Sequence, residues 1–256
     1  MDSLTQLFGL QGKTAVVIGG TGVLGSAFVD ALTTAGAYVV VVGRNEEAGA
    51  AVVAMCPESR EFFRADSTSV DDLQALVAHL KTTGRHCDIL VNGAGVNSPT
   101  PFLEISDEEW DRIFNVNLRS VRLACQVFGQ DMLDNQRSGA IINVASLSAM
   151  TPLSRVFTYS ASKAAVLNLT QNLAREWAPH GIRVNAISPG FFPAEQNRKV
   201  LTPDRVEKIM GHTPANRFGE PHELAGAMIL LASDKAGSFI NGANIVVDGG
   251  FTAMTI

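Results

Sequence analysis

Tyr159 and Lys163 stand four residues apart in the stretch Tyr159-Ser160-Ala161-Ser162-Lys163, and Ser146 lies thirteen residues upstream, at the end of the apolar run Ile141-Ile142-Asn143-Val144-Ala145. A phenol with an ordinary pKa of about 10 is a poor proton-transfer group near neutrality, but an ammonium on the same helix face favours the phenolate. The tyrosine then becomes a usable acid or base. Residues four apart on a helix are neighbours, so the pair projects into one cleft. A serine leaving a strand beside them can hydrogen-bond the oxygen that the tyrosine serves. The chemistry that suits this trio is proton exchange at a carbonyl or alcohol oxygen.

Such a trio needs a frame, and the chain supplies one. Short β-branched runs alternate with longer helical patterns from residue 14 to residue 247, the signature of βα units on a parallel sheet. The runs predict seven strands, Thr14–Ile18, Tyr38–Val42, Glu61–Arg64, Ile89–Val91, Ala140–Val144, Arg183–Ile187 and Asn244–Val247. They are almost continuously apolar, as strands covered by helices on both faces of a doubly wound sheet should be. No linker, repeat or low-complexity tract interrupts them, so residues 1–256 are expected to form a single α/β domain. Ser106-Asp107-Glu108-Glu109 reads as a capping box opening one helix, and another should open near Pro221. The stretch 189–218 is the longest weakly patterned segment and is the expected place for substrate contacts.

The first strand runs into Gly19-Gly20-Thr21-Gly22-Val23-Leu24-Gly25 before a helix. Glycines let the backbone turn tightly and approach a pyrophosphate, while the helix N-terminus offers N–H groups and the positive end of its dipole. Asn92-Gly93-Ala94-Gly95 after the fourth strand is a second close-approach turn. At the end of strand two, where NAD-binding chains place a carboxylate on the ribose hydroxyls, this chain has Gly43 followed by Arg44 and Asn45. No acid repels a 2′-phosphate there and Arg44 can bind one, which favours NADP(H), with NAD(H) the alternative.

Bulk properties narrow the partners. The 256 residues carry a formal charge of −5 without a basic stripe, which argues against nucleic acid and for a small-molecule substrate. Cys56, Cys87 and Cys125 are far apart and lack Cys-x-x-Cys spacing, so neither disulfides nor a metal site is expected. The acidic N-terminus lacks the order of a signal peptide, and no apolar run approaches the roughly 18 to 20 residues of a membrane span. A cytoplasmic enzyme is the expectation.

Together these motifs resemble the short-chain dehydrogenase/reductase family, over about Gly12 to Gly250. The resemblance implies a Rossmann fold and an NAD(P)-dependent alcohol dehydrogenase or ketoreductase. In it Ser146 positions the substrate oxygen, Tyr159 transfers the proton, and Lys163 lowers the tyrosine pKa and binds the nicotinamide ribose. Asn117, directly before Leu118, matches the family's fourth catalytic position, which kinks its helix and holds a water. The implied cofactor contacts begin with Gly19, Thr21, Gly22, Val23, Leu24 and Gly25. Arg44, Asn45, Asp66 and Ser67 follow at the adenosine end. Asn92, Gly93, Ala94 and Gly95 then lead to Tyr159, Lys163, Pro189, Gly190 and Phe192 around the nicotinamide. Ile18, Val23 and Gly93 depart from the commoner family residues, a subgroup variation. The glycine turn, Gly43-Arg44-Asn45, the segment after Gly190 and Asp248-Gly249-Gly250-Phe251 resemble the D-mannonate (fructuronate) oxidoreductase and gluconate 5-dehydrogenase subgroup. A sugar acid or polyol is the implied substrate, met by Asn97, Ser146, Ser148, Arg155, Tyr159, Gln196 and Arg198, with Arg198 or Arg155 for a carboxylate. The alternatives are a 3-oxoacyl-(acyl carrier protein) reductase and a nucleotide-binding regulator without turnover. Family members of this size imply a homotetramer.

Overall fold

A computed structural model of the protein describes residues 3–193 and 202–254. Among these, seven strands form one parallel sheet: β1 (Thr14–Ile18), β2 (Tyr38–Gly43), β3 (Arg60–Arg64), β4 (Ile89–Asn92), β5 (Gly139–Val144), β6 (Ile182–Pro189) and β7 (Asn244–Val247). Their spatial order is β3-β2-β1-β4-β5-β6-β7. The chain therefore winds outward from β1 in one direction and, from β4 onward, in the other. Between β1 and β4 the connections diverge, leaving a crevice at the strands' carboxyl ends, where sheets of this kind bind ligands.

Alternate side chains along each strand point to opposite faces, and each face has its own core. On one, Val16, Val40, Leu90 and Ile141 meet Leu73, Leu76 and Leu80 of α4 (Val70–Thr82) and Phe128 and Met132 of α6 (Ser120–Asp134). On the other, Val17, Val41, Ile89 and Ile142 meet Phe28 and Leu32 of α2 (Val23–Thr34). The helix Ala225–Ala232 adds Met228 and Leu231 to that second face. Burying each such side chain stabilises the fold by roughly 1.5–3 kcal/mol, which is why the strands read as unbroken apolar runs.

One polar residue interrupts β5, and it has a structural cause. Asn143 accepts a hydrogen bond from Asn92 Nδ2 on β4 at 2.8 Å, and its own Nδ2 donates to Thr170 Oγ1 at 2.9 Å. Thr170 lies on α7 (Phe157–Trp177), and its hydroxyl donates to Val166 O at 2.8 Å. All three side chains are buried. Buried polar groups cost 1–3 kcal/mol when unpaired, so this chain of bonds strongly specifies how α7 sits on the sheet. That helix carries Tyr159 and Lys163.

The elements depart from expectation in instructive places. Several strands run one or two residues further than their apolar runs. β3 begins at Arg60, whose buried guanidinium donates to Thr33 Oγ1, Val52 O and Asp30 Oδ1 and so needs no water. At the start of α5 (Asp107–Phe114), Ser106 caps Glu109 N at 3.2 Å. Glu109 bonds the hydroxyls of Ser98 (3.0 Å) and Thr100 (2.7 Å), so its carboxylate braces the loop after β4. The weakly patterned segment holds a helix, α8 (Pro203–Gly211), started by proline at a position whose N–H no helix needs. The element expected near Pro221 opens as a 3₁₀ turn, Pro221–Leu224, and continues as α9 (Ala225–Ala232).

Candidate active site

The crevice is built first by glycine. Gly19 has φ of +79°, and a Cβ there would stand 2.7 Å from Ala94 N, so the β1 and β4 turns approach as only glycine permits. A Cβ on Gly25 would lie 2.0 Å from Gly19 O, which keeps the start of α2 tight against the turn. Gly22 occupies the N-cap of α2 without a side-chain cap, leaving first-turn N–H groups for a ligand. Two connected clefts share this cradle. One, of about 440 Å³, is lined by Thr21, Arg44, Asp66, Ser67 and Ala94. The other, of about 500 Å³, is lined by Val23, Leu24, Ser146, Tyr159 and Lys163. Both include Gly19, Gly22, Gly93 and Gly95. An extended dinucleotide, with its pyrophosphate on the α2 N-terminus, fits this donor set.

At the adenosine end, residue 43 has no side chain because Thr21 fills the space. A Cβ on Gly43 would meet Thr21 Oγ1 at 2.9 Å. Arg44 is 76% exposed at its side chain and lies 3.9 Å from Asp66 Oδ2. Asp66 accepts from Thr68 N at 2.9 Å and Thr68 Oγ1 at 2.7 Å, and these bonds hold its carboxyl below the usual range.

At the other end, Tyr159 and Lys163 share the inward face of α7, opposite the end of β5. Lys163 is 3% exposed, and its Nζ donates to Val144 O at 2.7 Å, the last carbonyl of β5. Burial holds its pKa down at about 8, and among the described residues no carboxylate pairs with it. The ammonium sits 5.8 Å from the centroid of the Tyr159 ring. Burial pushes the phenol up, and a hydrogen bond with Ser146 pulls it part of the way back. The spacing alone suggests a lysine that lowers the tyrosine; in the free protein, desolvation disfavours charge on both. Ser146 Oγ also accepts from Ser148 N and Ser148 Oγ, at 3.2 and 3.1 Å.

Asn117 lies in a π-helical turn, Asn115–Arg119, which is the kink between α5 and α6. The wider turn directs its amide inward. Oδ1 accepts from Val96 N at 2.8 Å, and Nδ2 donates to Val96 O at 2.9 Å and Ser162 Oγ at 3.0 Å. Ser162 in turn donates to Tyr159 O at 2.7 Å. Asn117 thus clamps the loop after β4 to the helix that bears the tyrosine. A Cβ on Gly95 would lie 3.5 Å from both Asn117 Oδ1 and Lys163 Nζ, so the three meet at one point.

Asn97, Pro189, Gly190 and Phe192 line the same cleft as Ser146, Tyr159 and Lys163. Other expectations need correction. The Asn92 side chain faces into the sheet, bound to Asn143, so only its backbone is available to a ligand. Asn45 uses its side-chain oxygen to cap α3 (Glu46–Ala54) through Ala48 N, at 3.0 Å. Ser148 is buried behind Ser146, to which its N and Oγ donate, and it does not border the cleft. Arg155, at φ of +60°, is turned to solvent and does not border the cleft. Gln196 and Arg198 lie outside the described residues. Two contributors were missed. Ser162 is three residues after Tyr159 on the same helix face, a legible signal. Arg205, on α8, borders the cleft from a segment read as irregular.

A glycine cradle leading to a buried serine and lysine and a half-buried tyrosine defines a dinucleotide-dependent oxidoreductase. A family model described as enoyl-(acyl carrier protein) reductase matches residues 21–252. The NAD-dependent glycerol dehydrogenase of Listeria innocua is 35% identical over 245 residues, 96% of each chain. The D-threitol dehydrogenase of Mycolicibacterium smegmatis is 38% identical over 248 residues, 96% of this chain and 95% of that one. The solved gluconate 5-dehydrogenase of Burkholderia cenocepacia, in complex with NADP and tartrate, superposes with a TM-score of 0.92. It is 31% identical, covering 98% of this chain and 100% of that one. The chain belongs to the short-chain dehydrogenase/reductase family. It is an NAD(P)-dependent oxidoreductase that interconverts a secondary alcohol and a ketone.

The depressed Lys163 pKa has a consequence for stability. Its folded value of about 8 lies below the unfolded 10.5, so below pH 8 the folded state carries the full cost of burying the ammonium. Between pH 8 and 10.5 the folded lysine is neutral while the unfolded one is charged, and that cost is progressively relieved. Lys163→Met should therefore stabilise the protein at pH 7 by about 2 kcal/mol, after allowing for the lost bond to Val144 O. Urea unfolding at pH 7 and pH 10 checks this: the gain should shrink at the higher pH, and a variant no more stable than wild type at pH 7 would contradict it.

Proposed function

We propose that the protein is a dehydrogenase of sugar acids or polyols that works through Ser146, Tyr159 and Lys163, with Asn117 as the clamp that holds them. The observation that carries this reading is the convergence of those side chains on one cleft beside the glycine cradle. The Ser146 hydroxyl hydrogen-bonds the substrate oxygen. Tyr159 gives that oxygen its proton in reduction and takes it in oxidation. The Lys163 ammonium stabilises the phenolate and offers its remaining N–H groups to the cofactor ribose. When bound, the nicotinamide supplies a hydride acceptor or donor for the substrate carbon. Gly19, Gly22 and Gly25 would hold the pyrophosphate, and Asp66 the adenine edge. The polyol- and gluconate-converting relatives support the substrate class.

NADP(H) is the preferred cofactor in this reading. Thr21 occupies the space that an acidic side chain at residue 43 would need, and Arg44 stands exposed beside it with only a distant carboxylate. The described relatives include one with NAD in its name and one with NADP bound, so the preference rests on this chain's own residues. The match to the enoyl-(acyl carrier protein) reductase family model favours a second reading, reduction of an acyl chain carried as a thioester. Acetoacetyl and crotonyl thioesters in the substrate panel discriminate it, the first reporting ketone reduction and the second enoyl reduction.

Residues 1–256 act as one catalytic domain, and the same reading makes the protein a cytoplasmic homotetramer. A groove of about 1050 Å³ lies away from the chemistry between α5, α6 and α7, lined in part by the apolar Phe114, Leu118 and Leu169. Such a face suits a subunit contact. Cys87 and Cys125 are buried free thiols, as a reducing compartment allows.

Tyr159→Phe should lower turnover by about 10³-fold while NADPH binding, read by nicotinamide fluorescence, stays within about threefold of wild type. Undiminished turnover would sink the proton-transfer role. Arg44→Ala should reduce the NADPH-to-NADH ratio of kcat/KM by about tenfold. An unmoved ratio would remove Arg44 from cofactor choice.

A further inference from the structure

The side chains that border the catalytic cleft include two basic ones, Lys163 and Arg205. Lys163 is buried at the end of β5 and belongs to the proton-transfer group. Arg205 comes from the first turn of α8, and its Nη1 donates to Ser154 Oγ at 3.1 Å. That bond ties α8 to the loop that leads into α7. Among the described residues Arg205 forms no ion pair, although other arginines of the chain find carboxylates, such as Arg60 with Asp30 at 2.8 Å and Arg217 with Glu223 at 2.6 Å. A guanidinium has five donors in a planar fork, so one hydroxyl acceptor leaves most of its capacity unused. Leu153, Phe191 and Phe192 line the same cleft, and apolar walls lower the dielectric and strengthen any charge pairing made there.

We propose that Arg205 binds the carboxylate of the substrate. The fork geometry of arginine matches a carboxylate bidentately. Held at one end by Arg205, a polyhydroxy acid has a fixed register in the cleft. That register selects which of its carbinol carbons meets Ser146 and Tyr159. Arg205 takes the part that the sequence assigned to Arg155 or Arg198. This inference rests on the sugar-acid reading of the site and narrows it to a carboxylate-bearing substrate. Ser154, through its bond to Nη1, is the residue that orients the fork.

The test uses the full-length protein loaded with NADPH and takes tartrate as a non-reacting hydroxy-carboxylate probe. Tartrate is titrated into wild type, Arg205→Gln and Arg205→Lys by calorimetry. In parallel, the ratio of kcat/KM for D-gluconate to that for D-sorbitol is measured with NADP. The proposal expects Arg205→Gln to weaken tartrate at least tenfold and to lower the gluconate-to-sorbitol ratio by a similar factor, with the loss residing in KM. Arg205→Lys should fall between the two, because it keeps the charge and loses the fork. Thermal melting of each variant monitors folding. Tartrate that fails to bind wild type, or binds Arg205→Gln equally well, overturns the proposal, as does an unmoved substrate ratio. If the wild type oxidises no sugar acid yet tartrate binding still depends on Arg205, the sugar-acid function falls and the carboxylate site stands.

Discussion

A buried ammonium that has no counter-ion among the described residues is the constraint around which this protein is arranged. Lys163 is 3% exposed and holds a single carbonyl, Val144 O, at 2.7 Å. Desolvation of such a group is expensive, and here it is enough to bring the pKa to about 8. A site with this property is unstable as architecture and useful as chemistry. It is poised for an anion, and the phenolate of Tyr159 on the same helix face is the one that the reaction creates.

Holding that cation in place occupies much of the fold. β5 must end at Val144 so that its last carbonyl is free to accept. α7 must sit at one height on the sheet, which the bonds among Asn92, Asn143 and Thr170 enforce from below. The loop after β4 must pass close to Nζ, and Gly95 lets it do so while Asn117 ties it to Ser162. The π-helical turn is the local distortion that lets Asn117 reach, a common use of that geometry at functional sites. The glycine turn after β1 then brings the ligand cradle against the same loop, since Gly19 packs on Ala94.

Much of this was legible in the chain. Unbroken apolar runs gave away a sheet covered on both faces, and the glycine turn, Tyr159 and Lys163 marked its functional edge. What escaped has physical reasons. The apolar run ended the expected strand at Val91, so the inward turn of Asn92, on the same face as Leu90, went unread, and the burial of Ser148 behind Ser146, beyond the end of β5, carried no pattern. Asn45 was readable, because an asparagine before Glu46-Glu47 is a helix cap, and a cap cannot spend the same oxygen on a ligand. Arg205 was hidden because four prolines and two glycines in the stretch 189–218 obscured α8, although Thr202-Pro203-Asp204 is a reasonable helix start. The π turn has no propensity signature of its own.

The central claim is that Lys163 is held in the folded protein as a cation close to losing its proton. Lysine-selective ¹³Cε NMR across pH 6 to 11 reads this directly, with Lys163→Met assigning the resonance. The account predicts one lysine titrating near 8, apart from the others. A Lys163 signal that titrates at 10 or above would contradict it.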